Sequence, residues 1–158
     1  MSNDKAKAAA GVLAATLVQN GMKVGLGTGS TAFYFIKELI EKARQGLDIC
    51  CIATSSESTK QAQAGGLKLI SPADCAKLDL DIDGADEIDH QKQMIKGGGG
   101  ALFMEKIIAQ ASDEMVVVID ETKLVKKLGK HPLPIEISPF CYQSTLNQLK
   151  ALGLSGEI

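Results

Sequence analysis

Short apolar runs alternate with segments of helical period along most of this chain, and glycines stand where one gives way to the other. That order constrains the fold more than any other feature, because strands joined by helical crossovers pair in parallel. An Ala-rich stretch from Asp4 to Gln19 repeats Ala6, Ala10, Leu13 and Leu17 at helical spacing, with capping candidates at Ser2 to Asp4 and a stop at Asn20-Gly21. Lys23 to Gly27, Asp48 to Ala53, Leu67 to Ile70, Leu78 to Asp83, Gln93 to Lys96 and Glu114 to Ile119 read as strands or short extended runs. Between them, Ser30 to Arg44 (Phe33, Ile36 and Ile40 on one face), Ser56 to Ala64 and Ala101 to Ala111 read as helices. The last strand is apolar without alternation, as when both sheet faces are covered. The fold class expected is α/β, an open, mostly parallel sheet with helices on both faces, over residues 1–128. Ligands of such sheets sit beyond the carboxyl ends of the strands. That rule selects the loops 25–31, 53–57, 83–89, 96–100 and 120–123.

Past Lys123 the texture changes. Lys126, Lys127 and Lys130 crowd together, and Pro132, Pro134 and Pro139 punctuate the chain after them. Leu133 to Ser138 reads as a strand, and Cys141 to Leu152 as a helix with Leu146 and Leu149 on one side. Residues 129–158 are therefore expected to begin a second, smaller α/β domain. One strand and one helix cannot bury a core alone, so the chain is expected to stop inside that domain. The length of 158 residues agrees with one domain and a fraction.

A net charge of −2 excludes a strongly basic nucleic-acid binder, and 45% apolar residues exclude wholesale disorder. No apolar run approaches the roughly 18 residues of a membrane span. Met1-Ser2-Asn3-Asp4-Lys5 does not start a secretory leader. Cys50, Cys51, Cys75 and Cys141 form no C-x-x-C pair, so free thiols filling apolar space in a reducing cytoplasm are expected.

Three loops carry chemistry. Gly25-Leu26-Gly27-Thr28-Gly29-Ser30-Thr31 follows a strand and opens a helix, where close-approaching amides and the helix dipole suit an anion. A capped tight turn is the plainer reading. No Walker A string is present, and the second strand ends in Thr54-Ser55-Ser56 rather than an acid, which disfavours ATP and NAD. Asp79-Leu80-Asp81-Ile82-Asp83-Gly84 imitates a calcium loop, but His90 stands where the bidentate Glu belongs. It reads better as a strand with Leu78, Leu80 and Ile82 on one face and the three aspartates on the other. Asp83 and Asp86 then flank a Gly-Ala turn, where clustered carboxylates shift one another's proton affinity; a solvated acidic turn is the alternative. Lys96-Gly97-Gly98-Gly99-Gly100 leads into a helix carrying Glu105. Lys96 is placed to polarise a carbonyl or stabilise an oxyanion. Glu105 is either a helix-dipole partner or a base whose affinity Phe103 and Met104 raise. Lys123 falls on the same ligand edge, Lys7 is a weaker candidate on the first helix, and His90 and His131 receive no role.

These segments, together with Glu105-Lys106 and the stretch from Gly129 to Pro134, closely resemble type A ribose-5-phosphate isomerase, in family order and spacing from near residue 5 to near 152. The resemblance implies interconversion of ribose 5-phosphate and ribulose 5-phosphate in the pentose phosphate pathway, with no metal and no organic cofactor, in a homo-oligomer (a dimer or tetramer). It implies that Glu105 is the proton acceptor. Thr28, Gly29, Ser30 and Thr31, then Asp83, Gly84, Ala85 and Asp86, then Lys96, Gly97, Gly98 and Gly99, would form three substrate-binding loops, with Lys123 and Lys7 as further contacts. Asp83 would shuttle protons between sugar oxygens, Asp86 would help to open the ring, and Lys96 would stabilise the enediolate. The family continues beyond the point where this chain ends, so the chain is expected to be C-terminally incomplete. Two other classes fit such loops: a coenzyme A transferase-like enzyme, and a non-catalytic sugar-phosphate sensor.

Overall fold

A computed structural model describes residues 3–157. Helix α1 (Asp4–Ala15) leads to β1 (Lys23–Leu26), α2 (Ser30–Arg44), β2 (Cys50–Ala53), α3 (Ser56–Gly65) and β3 (Lys68–Leu69). Then come β4 (Leu78–Asp83), a two-residue pair β5 (Glu87–Ile88) and β6 (Met94–Ile95), α4 (Leu102–Ala111), β7 (Ser112–Val117) and α5 (Tyr142–Ala151). Five strands form a parallel sheet in the order β3-β2-β1-β4-β7, and β5 pairs antiparallel with β6 in a small second sheet. Sequence periodicity misses β5, because two residues are too few to show a period.

Alternation along the strands sorts the core. Val24, Leu26, Cys51, Leu80 and Ile82 join buried residues of α1, α2 and α3 in one cluster. A second, smaller cluster joins Ile52 and Ile108 of α4 with Cys75 and with Leu78 at the start of β4. Helix α2 buries Phe35, Ile36, Leu39 and Ile40 and ends before Gly46, whose φ of 106° reverses the chain. Ile36 and Ile40 are buried as expected, whereas Phe33 is half exposed and Phe35 takes its place in the core stripe.

The first helix corrects a larger expectation. Leu13 is 70% exposed and Leu17 lies outward too, while Gly11, Ala14 and Ala15 are buried. A Cβ on Gly11 would lie 2.6 Å from the Phe35 nitrogen. Helices α1 and α2 therefore cross backbone to backbone, and small residues rather than leucines mark the contact. Asn3 occupies the N-cap without a side-chain capping bond, and Ser2 lies outside the described residues.

Residues 133–138 run without pairing to any strand, so the strand expected there is absent among the described residues. No described residue from 129 to 157 is buried. Cys51 and Cys75 fill apolar space, with burial pushing the Cys51 thiol up to about 12, whereas Cys141 is exposed. No helix is long and apolar enough to cross a membrane among the described residues.

Candidate active site

The carboxyl ends of β1, β4 and β7 open onto a pocket of ≈ 220 Å³. Its walls are Thr28 to Thr31 after β1, Gly84 to Asp86 after β4, Lys96, Gly97 and Gly99 of the second glycine loop, Glu105 of α4, and Val118 to Asp120 with Lys123 after β7.

The β1 loop turns into α2 at Gly29, whose φ of 104° excludes most side chains. Gly27 is required for a different reason: a Cβ there would collide with the Asp83 carboxyl. The Thr28 hydroxyl meets that of Thr54 at 2.8 Å, and Thr54 in turn donates to the Leu26 carbonyl. Ser58 donates to the Gly27 carbonyl at 2.6 Å. Thr54 and Ser58 are buried, and sequence reasoning does not single them out. The Thr54-Ser55-Ser56 run at the end of β2 is the signal that could find them.

Asp83 is fully buried beneath the pocket and lines none of it. Its Oδ1 accepts from the amides of Thr28 and Gly84 at 2.9 and 2.7 Å, and its Oδ2 accepts from Lys96 Nζ at 3.0 Å. The solvated acidic turn is thereby overturned, since strand pairing draws this carboxylate under the loops. Asp86 ties two loops together: its Oδ2 accepts from the Gly98 amide at 2.8 Å, and a Cβ on Gly98 would press on the same carboxylate. Gly98 accordingly faces Asp86 and not the pocket.

Lys96 donates to the Gly84 carbonyl at 2.6 Å and lies 3.1 Å from Glu105 Oε2. That contact has ion-pair distance without hydrogen-bond alignment, so Oε2 is left without a hydrogen-bond partner. Burial works against the Lys96 ammonium, yet the charges of Asp83 and Glu105 outweigh it and hold its pKa above the ordinary lysine value. Glu105 is only 5% exposed. Burial first, and the Asp83 charge second, raise its proton affinity against the pull of Lys96. Phe103 and Met104 do not do this, because both are largely exposed; in the first turn of α4 they point away from the side that carries Glu105.

Lys123 lines the pocket, and Lys7 does not. Lys7 instead faces Asp120, a buried carboxylate that accepts from Thr122. Burial raises Asp120, but the Thr122 bonds and the Lys7 charge leave it below the usual carboxylate value. Sequence reasoning misses Asp120 as a residue, although it selects the loop that carries it. It also misses Glu87, which accepts from the amides of Gly129 and His131 at 2.8 and 2.6 Å and is held low by them. His131 Nε2 comes within 4.0 Å of Asp86 Oδ1. Among the described residues no group of three or more His, Cys, Asp or Glu side chains is arranged to hold a metal ion.

Chemically, the arrangement offers one raised carboxylate beside one ammonium, at the floor of a cleft ringed by amides and hydroxyls. It can move a proton and stabilise the oxyanion that results.

Residues 50–158 match the model of the family described as ribose 5-phosphate isomerase A (phosphoriboisomerase A). A ribose-5-phosphate isomerase A from Protochlamydia amoebophila is 53% identical over 154 residues, covering 98% of this chain and 66% of that protein. The solved ribose 5-phosphate isomerase A from Methanocaldococcus jannaschii aligns with a TM-score of 0.92 and 40% identity, covering 96% of this chain and 68% of that one. A solved D-ribose-5-phosphate isomerase in complex with phospho-erythronic acid aligns at 0.91 with 37% identity, covering 97% of this chain and 68% of that one. The chain thus spans about two thirds of the length of these relatives.

Proposed function

Since the chain belongs to the ribose 5-phosphate isomerase A family, we propose that it takes part in interconverting D-ribose 5-phosphate and D-ribulose 5-phosphate. The observation that carries this reading is the buried Glu105 carboxylate in a pocket wall, 3.1 Å from Lys96. A related isomerase binds phospho-erythronic acid, a phosphorylated acyclic polyol acid of the size this pocket would have to take.

In the open-chain aldose, Glu105 removes the proton from C2 and the electron pair moves towards O1, giving a cis-enediol(ate). Lys96 and the loop amides hold that developing charge. The proton returns from Glu105 to C1 as O2 becomes the carbonyl, so one carboxylate serves both transfers. Asp83 would move a proton between O1 and O2, by giving up one of the contacts that fix its carboxylate, while Asp86 assists ring opening. The phosphate would sit by the loop where Gly29, Ser30 and Thr31 open α2, with Lys123 adding a positive charge to the same pocket. Binding there contributes energy remote from the reacting carbons.

The cytoplasm, independence from metal and organic cofactors, and a homo-oligomer belong to the same reading; sedimentation of the whole protein reads the last. Residues 129–158 would belong to a second, smaller unit, and the absence of buried side chains from 129 to 157 supports this.

Formation of ribulose 5-phosphate from ribose 5-phosphate is the test. Glu105→Gln should keep the fold and the affinity for sugar phosphate, yet lose turnover by several orders of magnitude. Retained turnover in that variant rejects the base assignment.

A further inference from the structure

The corner between β2 and α3 holds the first glycine loop with hydroxyls that the proposed reaction does not use. Thr54 is fully buried there. Its hydroxyl has one proton, and it donates to the Leu26 carbonyl at 3.0 Å, a group that can only accept. The hydroxyls of Thr54 and Thr28 also meet at 2.8 Å. Since the Thr54 proton is spent on Leu26, Thr28 is the donor in that pair. The reverse polarity, with Thr54 donating to Thr28, forfeits the bond to Leu26, and buried hydroxyls keep the arrangement that makes more bonds. The Thr28 amide is committed too, to Asp83 Oδ1 at 2.9 Å. Ser58, buried in the first turn of α3, donates to the Gly27 carbonyl at 2.6 Å and fixes the backbone just ahead of Thr28. Thr28 therefore lines the pocket with both of its donors turned into the protein. What its hydroxyl has left is lone pairs.

We propose that Thr54 is a positioning residue that fixes the Thr28 hydroxyl as a hydrogen-bond acceptor towards the pocket, so that Thr28 selects a hydroxyl of the sugar and not its phosphate. This rests on the isomerase reading above for the identity of the ligand. A phosphate dianion brings only acceptors, and lone pairs turned towards it repel. A sugar hydroxyl brings a proton and matches them. Gly29, Ser30 and Thr31 open α2 next to this point and keep the anion. The loop is thereby divided: residue 28 reads the carbon chain, and the residues after it hold the charge. A site built around one polarity rejects a ligand that lacks the matching group.

The test is calorimetric binding of ribose 5-phosphate and of inorganic phosphate to the whole protein, beside steady-state kinetics. The proteins are the wild type, Thr28→Val, Thr28→Ser, Thr54→Val, Thr54→Ser and the double valine variant. Thr28→Val should weaken ribose 5-phosphate about five- to tenfold, as a rise in KM with kcat little changed, and should leave inorganic phosphate as it was. Thr54→Val should weaken the sugar phosphate in the same direction. The double variant should be no weaker than Thr28→Val, because both changes remove one contact. Each serine variant should return binding towards the wild type. A Thr54 that merely filled space would add its effect to that of Thr28, and the smaller serine would not rescue it. Equal losses of inorganic phosphate and ribose 5-phosphate in Thr28→Val overturn the proposal, because Thr28 is then a donor to the anion. Unchanged ribose 5-phosphate binding in Thr28→Val overturns it as well, and so does a double variant whose loss is the sum of the two. If Thr54→Val does not fold, the Thr28 variants and Thr54→Ser carry the comparison. A wild type that binds ribose 5-phosphate and forms no ribulose 5-phosphate overturns the isomerase reading and leaves the binding comparison standing.

Discussion

Lys96 is where charge and geometry meet in this molecule. Its ammonium is shared by Asp83, Glu105 and the Gly84 carbonyl, so it arrives in place before any sugar does. Loss of one oxyanion donor elsewhere reduces kcat by about 10²–10³. Lys96→Ala should do the same, with a smaller change in KM; steady-state kinetics on protein shown to be folded reads it, and an unchanged kcat removes the electrophilic role. Asp81 makes a second prediction here, on stability: it is fully buried in the middle of β4, where the missing side chain of Gly25 makes room for it, and its carboxyl has no hydrogen-bond partner. Its folded pKa of about 7 stands above the ordinary 3.8, so folding takes up a proton between those values. Stability therefore falls as pH rises through that window, and the full penalty is present above it. Between pH 5 and pH 8 the loss is about 3 kcal/mol. Glu105, also raised, adds to the decline, whereas Asp120 and Glu87 are shifted the other way and act below this range. Urea unfolding at the two pH values should show the decline in the wild type and a much smaller one in Asp81→Asn; equal slopes would contradict the buried acid.

At the scale of elements, strand and helix positions are largely readable from the sequence, and the faces are not. The limits of α2 and β4 follow from sequence alone, because Gly29 and Gly46 bracket one and the turn at Gly84 ends the other. Which side of α1 is buried cannot be read that way. Hydrophobic spacing favours Leu13 and Leu17, while the close crossing on α2 selects Gly11, Ala14 and Ala15. Glycine inside a helix ordinarily costs about 1 kcal/mol relative to alanine. At Gly11 the added carbon meets the Phe35 and Tyr34 backbone at 2.6 and 2.8 Å, which cannot yield as a side chain would. Overpacking of this kind costs about 1–3 kcal/mol and exceeds the propensity gain. Gly11→Ala is therefore expected to lower the urea midpoint; a rise would show that propensity prevails. Asp81 and Asp83 teach the same lesson, since alternation puts both on one face correctly but reads that face as wet.

The whole molecule is a well-packed parallel sheet followed by a segment that is tied on rather than packed in. From 129 to 157 no described side chain is buried. Glu87 fastens the start of this stretch through the amides of Gly129 and His131. Glu87→Ala should free it while the sheet stays intact. Trypsin should then cut faster at Lys126, Lys127 and Lys130, with the far-ultraviolet dichroism of the sheet and its helices little changed; equal cutting rates would show that other contacts hold the segment.

Local chemistry along the chain determined a great deal by itself: the strand-helix alternation, the parallel sheet, the three loops at its rim, and Glu105, Lys96 and Asp83 as the groups to watch. Those follow from glycine placement, period and topology, which are properties of neighbouring residues. Burial, partners and proton affinity were decided only when distant segments met. Asp83 received its two amides from residues after β1 and β4, Lys96 its two acids from β4 and α4, and Asp81 its dry site from a glycine on β1. A carboxylate's charge is set by whatever lies within a few ångströms, and the sequence does not record which residues those will be.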